Sequence, residues 1–182
     1  RVRLLGVARL AGGKLEQRVA PAMVPKSLPL AQVSGALNAV MVNGDFAGDL
    51  MLDGQGAGGA PTASSVVSDI IDIARVNFAP AFGLPGSKLR KLTVSRVPEA
   101  QQRYYMRMQV VDKPGVVADI SAILRDEAIS IESLLQRGRS TDSVPVVITT
   151  HETRADAIAR AAEKIAKVGT VVERPCLLPI EE

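Results

Sequence analysis

This sequence predicts an α+β chain in two parts: an antiparallel sheet with helices, then a βαββαβ module of ferredoxin-like plan. Three observations carry that prediction. Residues 1–52 alternate short apolar and polar runs between glycines and prolines, as antiparallel strands do. A broad apolar stripe at helical period follows Pro61. From Tyr104 onward the periodicities switch in the order strand, helix, strand, strand, helix, strand.

Arg1–Arg9 and Lys14–Val24 read as paired strands, because the glycine pair in Ala11-Gly12-Gly13 can take the positive φ of a tight turn. Pro21 and Pro25 close the second strand, since proline cannot donate to a ladder. Pro29–Val33 suits a short helix. Ala36–Val42 and Phe46–Leu52 flank Asn43-Gly44-Asp45, a strong hairpin signal that places the turn at Asn-Gly. A glycine-rich loop, Gly54–Gly59, precedes a helix from Pro61 to about Val76, with Val66, Val67, Ile70, Ile71, Ile73 and Ala74 in its stripe. From Asn77 to about Gln102 prolines, glycines and scattered charges predict an irregular connection between domains 1–96 and 103–182.

In the second part Tyr104–Val111 is a strand and Asp112–Gly115 a turn. Val116–Ala128 is a helix with Val116, Val117, Ile120, Ile123 and Leu124 on one face. Ser130–Arg137 and Pro145–Thr150 are strands around the polar turn Gly138–Ser143, and Ala155–Val168 is a helix with Ile158, Ala161, Ala162, Ile165 and Val168 inward. Thr170–Leu177 is the last strand. The open face and edges of such a sheet commonly find a partner chain.

Composition excludes several function classes. The chain has 182 residues, 47% apolar, enough for a core, and a net charge of only +3 from dispersed basic residues. With five aromatics and no basic stripe, a nucleic-acid role is not expected. One cysteine, Cys176, rules out an internal disulfide and any multi-cysteine zinc site, and no metal site is expected. No apolar run approaches the roughly 18 residues of a membrane span. No signal-like start is visible, so a cytoplasmic protein is the plain reading. The opening Arg1-Val2-Arg3, strand-like and without methionine, suggests a chain that begins inside a larger protein.

Few residues can carry chemistry. Gly54–Gly59 fits G-x-G-x-x-G, but a dinucleotide fingerprint needs a second parallel strand after its helix, and Asn77–Gly86 has no strand character. The loop is therefore either a plain glycine connection or a place where bare backbone and free N–H groups approach a ligand. His151, the sole histidine, reads as a surface residue and Cys176 as a small core residue. Asp69 and Asp72 read as solvated carboxylates, and Lys26 has no assigned role. No catalytic set assembles. The turn Asp112-Lys113-Pro114-Gly115 has a simple structural reading, with Asp capping, Pro fixing φ and Gly supplying the bend. Alternatively its N–H groups hold the carboxylate of a small ligand.

Two stretches resemble known families. Val24-Pro25 through Pro29-Leu30-Ala31, Asn38-Ala39-Val40, Gly44-Asp45 and above all Gly56-Ala57-Gly58-Gly59-Ala60-Pro61-Thr62-Ala63-Ser64 resemble the end of the catalytic domain of homoserine dehydrogenase. Gln55 departs from the proline that family more often has there. Tyr104–Ile180, entered by Asp112-Lys113-Pro114-Gly115-Val116 and Asp119-Ile120, resembles an ACT domain, a regulatory module that pairs with its like and often binds amino acids. The resemblance implies interconversion of aspartate semialdehyde and homoserine with NAD or NADP, on the route to threonine and methionine. It implies cofactor contact at Gly58, with Gly56 and Thr62 behind it, and an α-helix after Thr62 packed on a Rossmann domain. It also implies that the Rossmann fingerprint, the catalytic lysine and the homoserine-binding acids precede Arg1, so these residues alone are expected to be inactive. An amino-acid effector, threonine first, is expected at Asp112, Gly115 and Val116, with self-association through the sheet and the ACT domain. The alternative is an ACT domain that only drives oligomerisation. The choice of nicotinamide and the presence of an upstream aspartate kinase are not written in these residues.

Overall fold

The computed structural model describes residues 1–77, 82–95, 101–138 and 143–181. In chain order the elements are β1 (Val2–Ala11), β2 (Lys14–Met23), a 3₁₀ turn (Pro29–Gln32), β3 (Leu37–Gly44), β4 (Gly48–Gln55) and α1 (Gly59–Ala74). A second 3₁₀ turn (Gly86–Lys88) precedes β5 (Gln101–Val110), α2 (Val116–Asp126), β6 (Ile131–Gln136) and β7 (Val144–Thr150). Next come β8 (Thr153–Arg154), α3 (Ala155–Ile165) and β9 (Cys176–Ile180). The α+β class is as the sequence predicts. Parts of the expected 77–102 connection and of the Gly138–Ser143 turn lie outside the described residues.

The chain divides into two compact units, Arg1–Pro25 with Leu92–Glu182, and Lys26–Lys91. In the first, the principal strand order is β1-β2-β9-β5-β7-β6. Strands β9, β5, β7 and β6 pair antiparallel in the order of a split βαβ module. Its core lies on one face, where alternate residues of β5 (Tyr104, Met106, Met108, Val110) and β7 (Val144, Val146, Ile148) meet the helices. Helix α2 contributes Val116, Ile120 and Leu124, spaced by four, and α3 contributes Ile158, Ala161 and Ile165. Glu127, just past α2, accepts from Arg160 Nε at 2.9 Å and Lys164 Nζ at 2.6 Å, tying the two helices together. Those hydrogen bonds, Lys164 first, hold its carboxyl below the usual range.

The β1–β2 hairpin and its Gly12-Gly13 turn are as expected, both glycines taking positive φ, but Pro21 does not close the strand: it pairs with Leu4 and the ladder runs on to Val2↔Met23. The hairpin extends the later sheet, through Met23↔Ile180 in parallel and Glu181 N–H to Met23 O at 2.9 Å. The irregular connection is pinned to it as well, with Leu15 N–H donating to Thr93 O at 2.9 Å and Ser95 N–H to Leu15 O at 2.8 Å.

The final strand is also cut differently. Val171 makes one bridge to Val110, and regular pairing resumes only at Cys176, opposite Arg107. Three steps along β5 thus face five on the returning chain, a bulge that contains Pro175, which has no N–H to pair. Cys176 is exposed, not in the core, because its partner Arg107 points away from the helices.

In the second unit β3 and β4 pair from Leu37↔Gln55 to Gly44↔Gly48. The turn is Asp45-Phe46-Ala47, two residues later than Asn-Gly placed it. Gly48, at φ +66°, supplies the left-handed residue, while Asn43 stays in the ladder and donates to Asp49 Oδ1 at 2.6 Å. Helix α1 starts at Gly59, earlier than Pro61, and buries no residue.

Candidate functional site

The glycine loop is built by the end of β4. Gly54 and Gln55 are still in the strand, so the free loop is Gly56-Ala57-Gly58. A Cβ at Gly56 would lie 2.4 Å from Asn38 Nδ2, so the side chain of β3 fills the space a side chain at Gly56 would need. Gly58 caps α1 at φ 121°, ψ 154°, a conformation that L residues rarely adopt. Its carbonyl accepts from Thr62 N–H at 3.2 Å, and Pro61 has no N–H. The amides at this helix start that lack an intrahelical partner are therefore those of Gly59 and Ala60.

Beside them Gly58, Gly59, Thr62, Ala63, Val66 and Val67 line a shallow, mainly apolar concavity. The loop thus offers bare backbone, two helix-start donors and an apolar floor, a surface suited to a flat, partly polar group. Of the predicted residues, Gly58 and Thr62 line this concavity, while Gly56 lies in the loop before it and is not part of its lining. Asn38, whose side chain lies against Gly56, was quoted only within the Asn38-Ala39-Val40 resemblance and given no place at the loop; its position opposite Gly54 in the hairpin register is what puts it there. Val66, Val67, Ile70, Ile71 and Ile73 continue the apolar surface down α1, and all are exposed.

The second candidate lies at the start of α2. Gly115 caps the helix at φ 95°, ψ −22°, and a Cβ there would meet nothing within 4 Å. Val116 is buried beneath it, and Asp112 is exposed on the other side of the turn. Asp112 Oδ1 accepts from Gln136 Nε2 of β6 at 3.3 Å, a partner the sequence did not suggest. Val111 N–H donates to Thr170 O at 2.8 Å, which ties the turn to the returning chain. The three predicted residues are together, around an open helix N-terminus.

The other single residues take structural places. His151 is exposed, with its N–H on Ser130 O at 3.0 Å. Asp69, Asp72 and Lys26 are exposed. Among the described residues no three His, Cys, Asp or Glu side chains converge as a metal set, and no helix is long and apolar enough to cross a membrane.

A polar cluster that sequence reasoning missed sits where β2 meets β9. Arg18 pairs with Glu16 at 2.8 Å and with Glu181, and Arg9 Nη2 reaches Glu181 Oε2 at 2.6 Å. Tyr104 accepts from Gln102 Nε2 at 2.7 Å nearby. Burial is the main influence on both titrating neighbours, lowering the pKa of Arg18 and raising that of Tyr104.

The second part is a four-stranded βαββαβ sheet with two helices on one face and an open turn before the first helix, and residues 104–170 match the ACT domain family. Residues 1–71, which include the glycine loop, match the homoserine dehydrogenase family. The chain is 40% identical to the homoserine dehydrogenase of Neisseria gonorrhoeae over 96% of its own length and 42% of the relative's. It is 36% identical to that of Pseudomonas aeruginosa over 96% of its length and 43% of the relative's. A solved homoserine dehydrogenase from Thiobacillus denitrificans superposes with a TM-score of 0.86 at 34% identity, covering 100% of this chain and 42% of that one. These matches support a homoserine dehydrogenase fragment, in which a segment of the homoserine dehydrogenase family is followed by an ACT domain. The chain spans a little over two fifths of the length of these relatives.

Proposed function

We propose that this chain supplies one wall of a homoserine dehydrogenase active site and carries that enzyme's amino-acid sensor. The reaction is the NAD- or NADP-dependent interconversion of L-homoserine and L-aspartate 4-semialdehyde. The observation that carries this reading is the Gly56–Ser64 run, folded as an exposed glycine loop that starts a helix. A nicotinamide cofactor supplies or accepts the hydride when bound. The loop fits such a group, because the exposed Gly58 keeps its backbone accessible and Gly59 and Ala60 would present amides to a carboxamide or similar acceptor.

What these residues do is position. Hydride transfer requires the reacting carbons in near-attack geometry, and the backbone of Gly56–Gly58, with the Asn38 side chain against Gly56, would form a wall of the site that holds the nicotinamide group. The proton donor at the developing alkoxide belongs to other parts of the enzyme, so the 182 residues by themselves are inactive. The exposed stripe of α1 is the surface that a nucleotide-binding domain covers, which accounts for five large apolar side chains left in water on one helix.

In the ACT module the turn Asp112–Val116 holds the carboxylate of a free amino acid on its helix-start amides, over the open space at Gly115. Threonine is the effector expected for an enzyme on its own biosynthetic route. A second reading, favoured by the position of β1 and β6 at the two ends of the sheet among the described residues, is a module that only joins copies of the chain. Calorimetric titration with threonine, against isoleucine, methionine and serine, separates the two. Saturable, threonine-selective heat supports the sensor. No heat from any amino acid, with the chain self-associated in sedimentation, overturns it in favour of assembly alone. Robust dehydrogenase turnover by the purified chain would contradict the division of labour just described.

A further inference from the structure

The returning segment 170–181 touches two places that matter. At its start it is fastened to the turn before α2: Val111 N–H donates to Thr170 O at 2.8 Å, Val171 bridges Val110, and Val172 N–H donates to Gln109 O at 2.8 Å. At its end it is fastened to the hairpin of the homoserine dehydrogenase segment. There the backbone link is slight, a single register pair between Ile180 and Met23 followed by Glu181 N–H on Met23 O. The side-chain link is the substantial one. The Glu181 carboxylate bridges Arg9 and Arg18, and Arg18 also holds Glu16. The side chains of Glu181, Arg18 and Glu16 are only 9%, 10% and 12% exposed, whereas Arg9 is 43% exposed. A buried charge chain of this kind holds only while it is complete, because losing one member leaves another uncompensated in a poor solvent for charge.

We propose that residues 170–181 form a lever that carries the state of the Asp112–Val116 turn to the β1–β2 hairpin, with Glu181 as its latch; the lever's regulatory use rests on the reading of that turn as an amino-acid site. A ligand that fixes the turn restrains residues 170–172 through the hydrogen bonds above. The restraint passes along β9, whose register with β5 from Cys176 to Ile180 leaves little freedom to slide. At the far end Glu181 converts it into the geometry of Arg18, a residue of the hairpin itself. Without the carboxylate, Arg18 keeps Glu16 but the hairpin loses its buried tie to the last strand.

The test is hydrogen–deuterium exchange of the full chain, resolved by residue, for the wild type, Glu181→Gln, Glu181→Asp and Arg9→Ala, with and without saturating L-threonine. Without ligand, E181Q is expected to speed exchange of β1, β2 and the Glu181 amide about tenfold, leaving the centres of β5 and β7 unchanged. E181D, which keeps the charge, should fall between E181Q and wild type. R9A should change the hairpin by less than about threefold, because Arg9 is solvent-screened. With threonine, the wild-type hairpin slows together with the turn, and in E181Q only the turn slows. The latch is overturned if E181Q leaves hairpin exchange unchanged, or accelerates β5 and β7 equally. The lever is overturned if threonine protects the hairpin as well in E181Q as in wild type. An absence of calorimetric heat from any amino acid overturns the ligand reading of the turn, and the lever's regulatory use with it, while the ligand-free comparison still decides the latch.

Discussion

Gly115 offers the sharpest separation of stability from binding. It sits at φ 95°, ψ −22°, just before α2, and an added Cβ would meet nothing within 4 Å. The whole cost of Gly115→Ala is then backbone strain, about 1–2 kcal/mol for an L residue forced to positive φ. For a chain of this length about 1 kcal/mol moves Tm by roughly 2–4 °C, so the expected loss is about 2–8 °C. Because the space is open, Gly115→Leu should cost the same within about 0.5 kcal/mol, and Gly115→Asn, whose side chain tolerates the left-handed region, should cost less than either. Binding should behave differently. A leucine side chain stands in the open space where the amino acid is proposed to lie, so threonine affinity should fall tenfold or more, about 1.4 kcal/mol, while alanine costs less. Urea midpoints and calorimetry on the same proteins give both numbers. A neutral G115A would show that the fold does not impose the positive φ, and a leucine variant with wild-type affinity would refute the turn as the amino-acid site.

Three further outcomes follow from burial and charge. Ile158→Ala, at a fully buried position of α3, should cost about 2–5 kcal/mol, read through the fluorescence of the chain's two tyrosines, both on β5. Ile70→Glu on α1, 58% exposed, should leave the urea midpoint of this chain within about 0.5 kcal/mol of wild type; a loss above about 1 kcal/mol would show that the helix is packed. Glu127 is held charged by Lys164 and Arg160, so its folded pKa is depressed. Its contribution is present above the ordinary glutamate value of about 4.3 and is lost as pH falls through the lower folded value. The urea-midpoint deficit of Glu127→Gln should therefore be clear at pH 7 and shrink towards pH 3; a deficit independent of pH would remove the charge argument.

Much of the fold was legible because its signals are local. The stripes Val116, Ile120, Leu124 and Ile158, Ala161, Ile165 face the core as their spacing requires, and Gly12-Gly13 makes the turn its positive φ allows. The Asn43-Gly44 turn failed because a second glycine, Gly48, competes for the left-handed position, and the Asn43–Asp49 contact favours that choice. Cys176 was misplaced because composition alone does not say which face of β9 opposes Arg107. At the glycine loop the run Gly56–Ser64 pointed to the place, but Asn38 belongs to it only through pairing with Gly54, the seventh pair from a hairpin turn that was itself set two residues off.

By itself the sequence determined the helices, most of the strands, the βαββαβ order and the two family segments, since each depends on residues within one window of chain. Tertiary structure alone decided that the first hairpin joins the last strand, that α1 keeps its apolar stripe in the open, and that Glu181 meets Arg18. The physical reason is the same in each case. Periodicity states which face of an element is apolar, but not which edge, 160 residues away, will pay the entropy of closing that loop and pair with it.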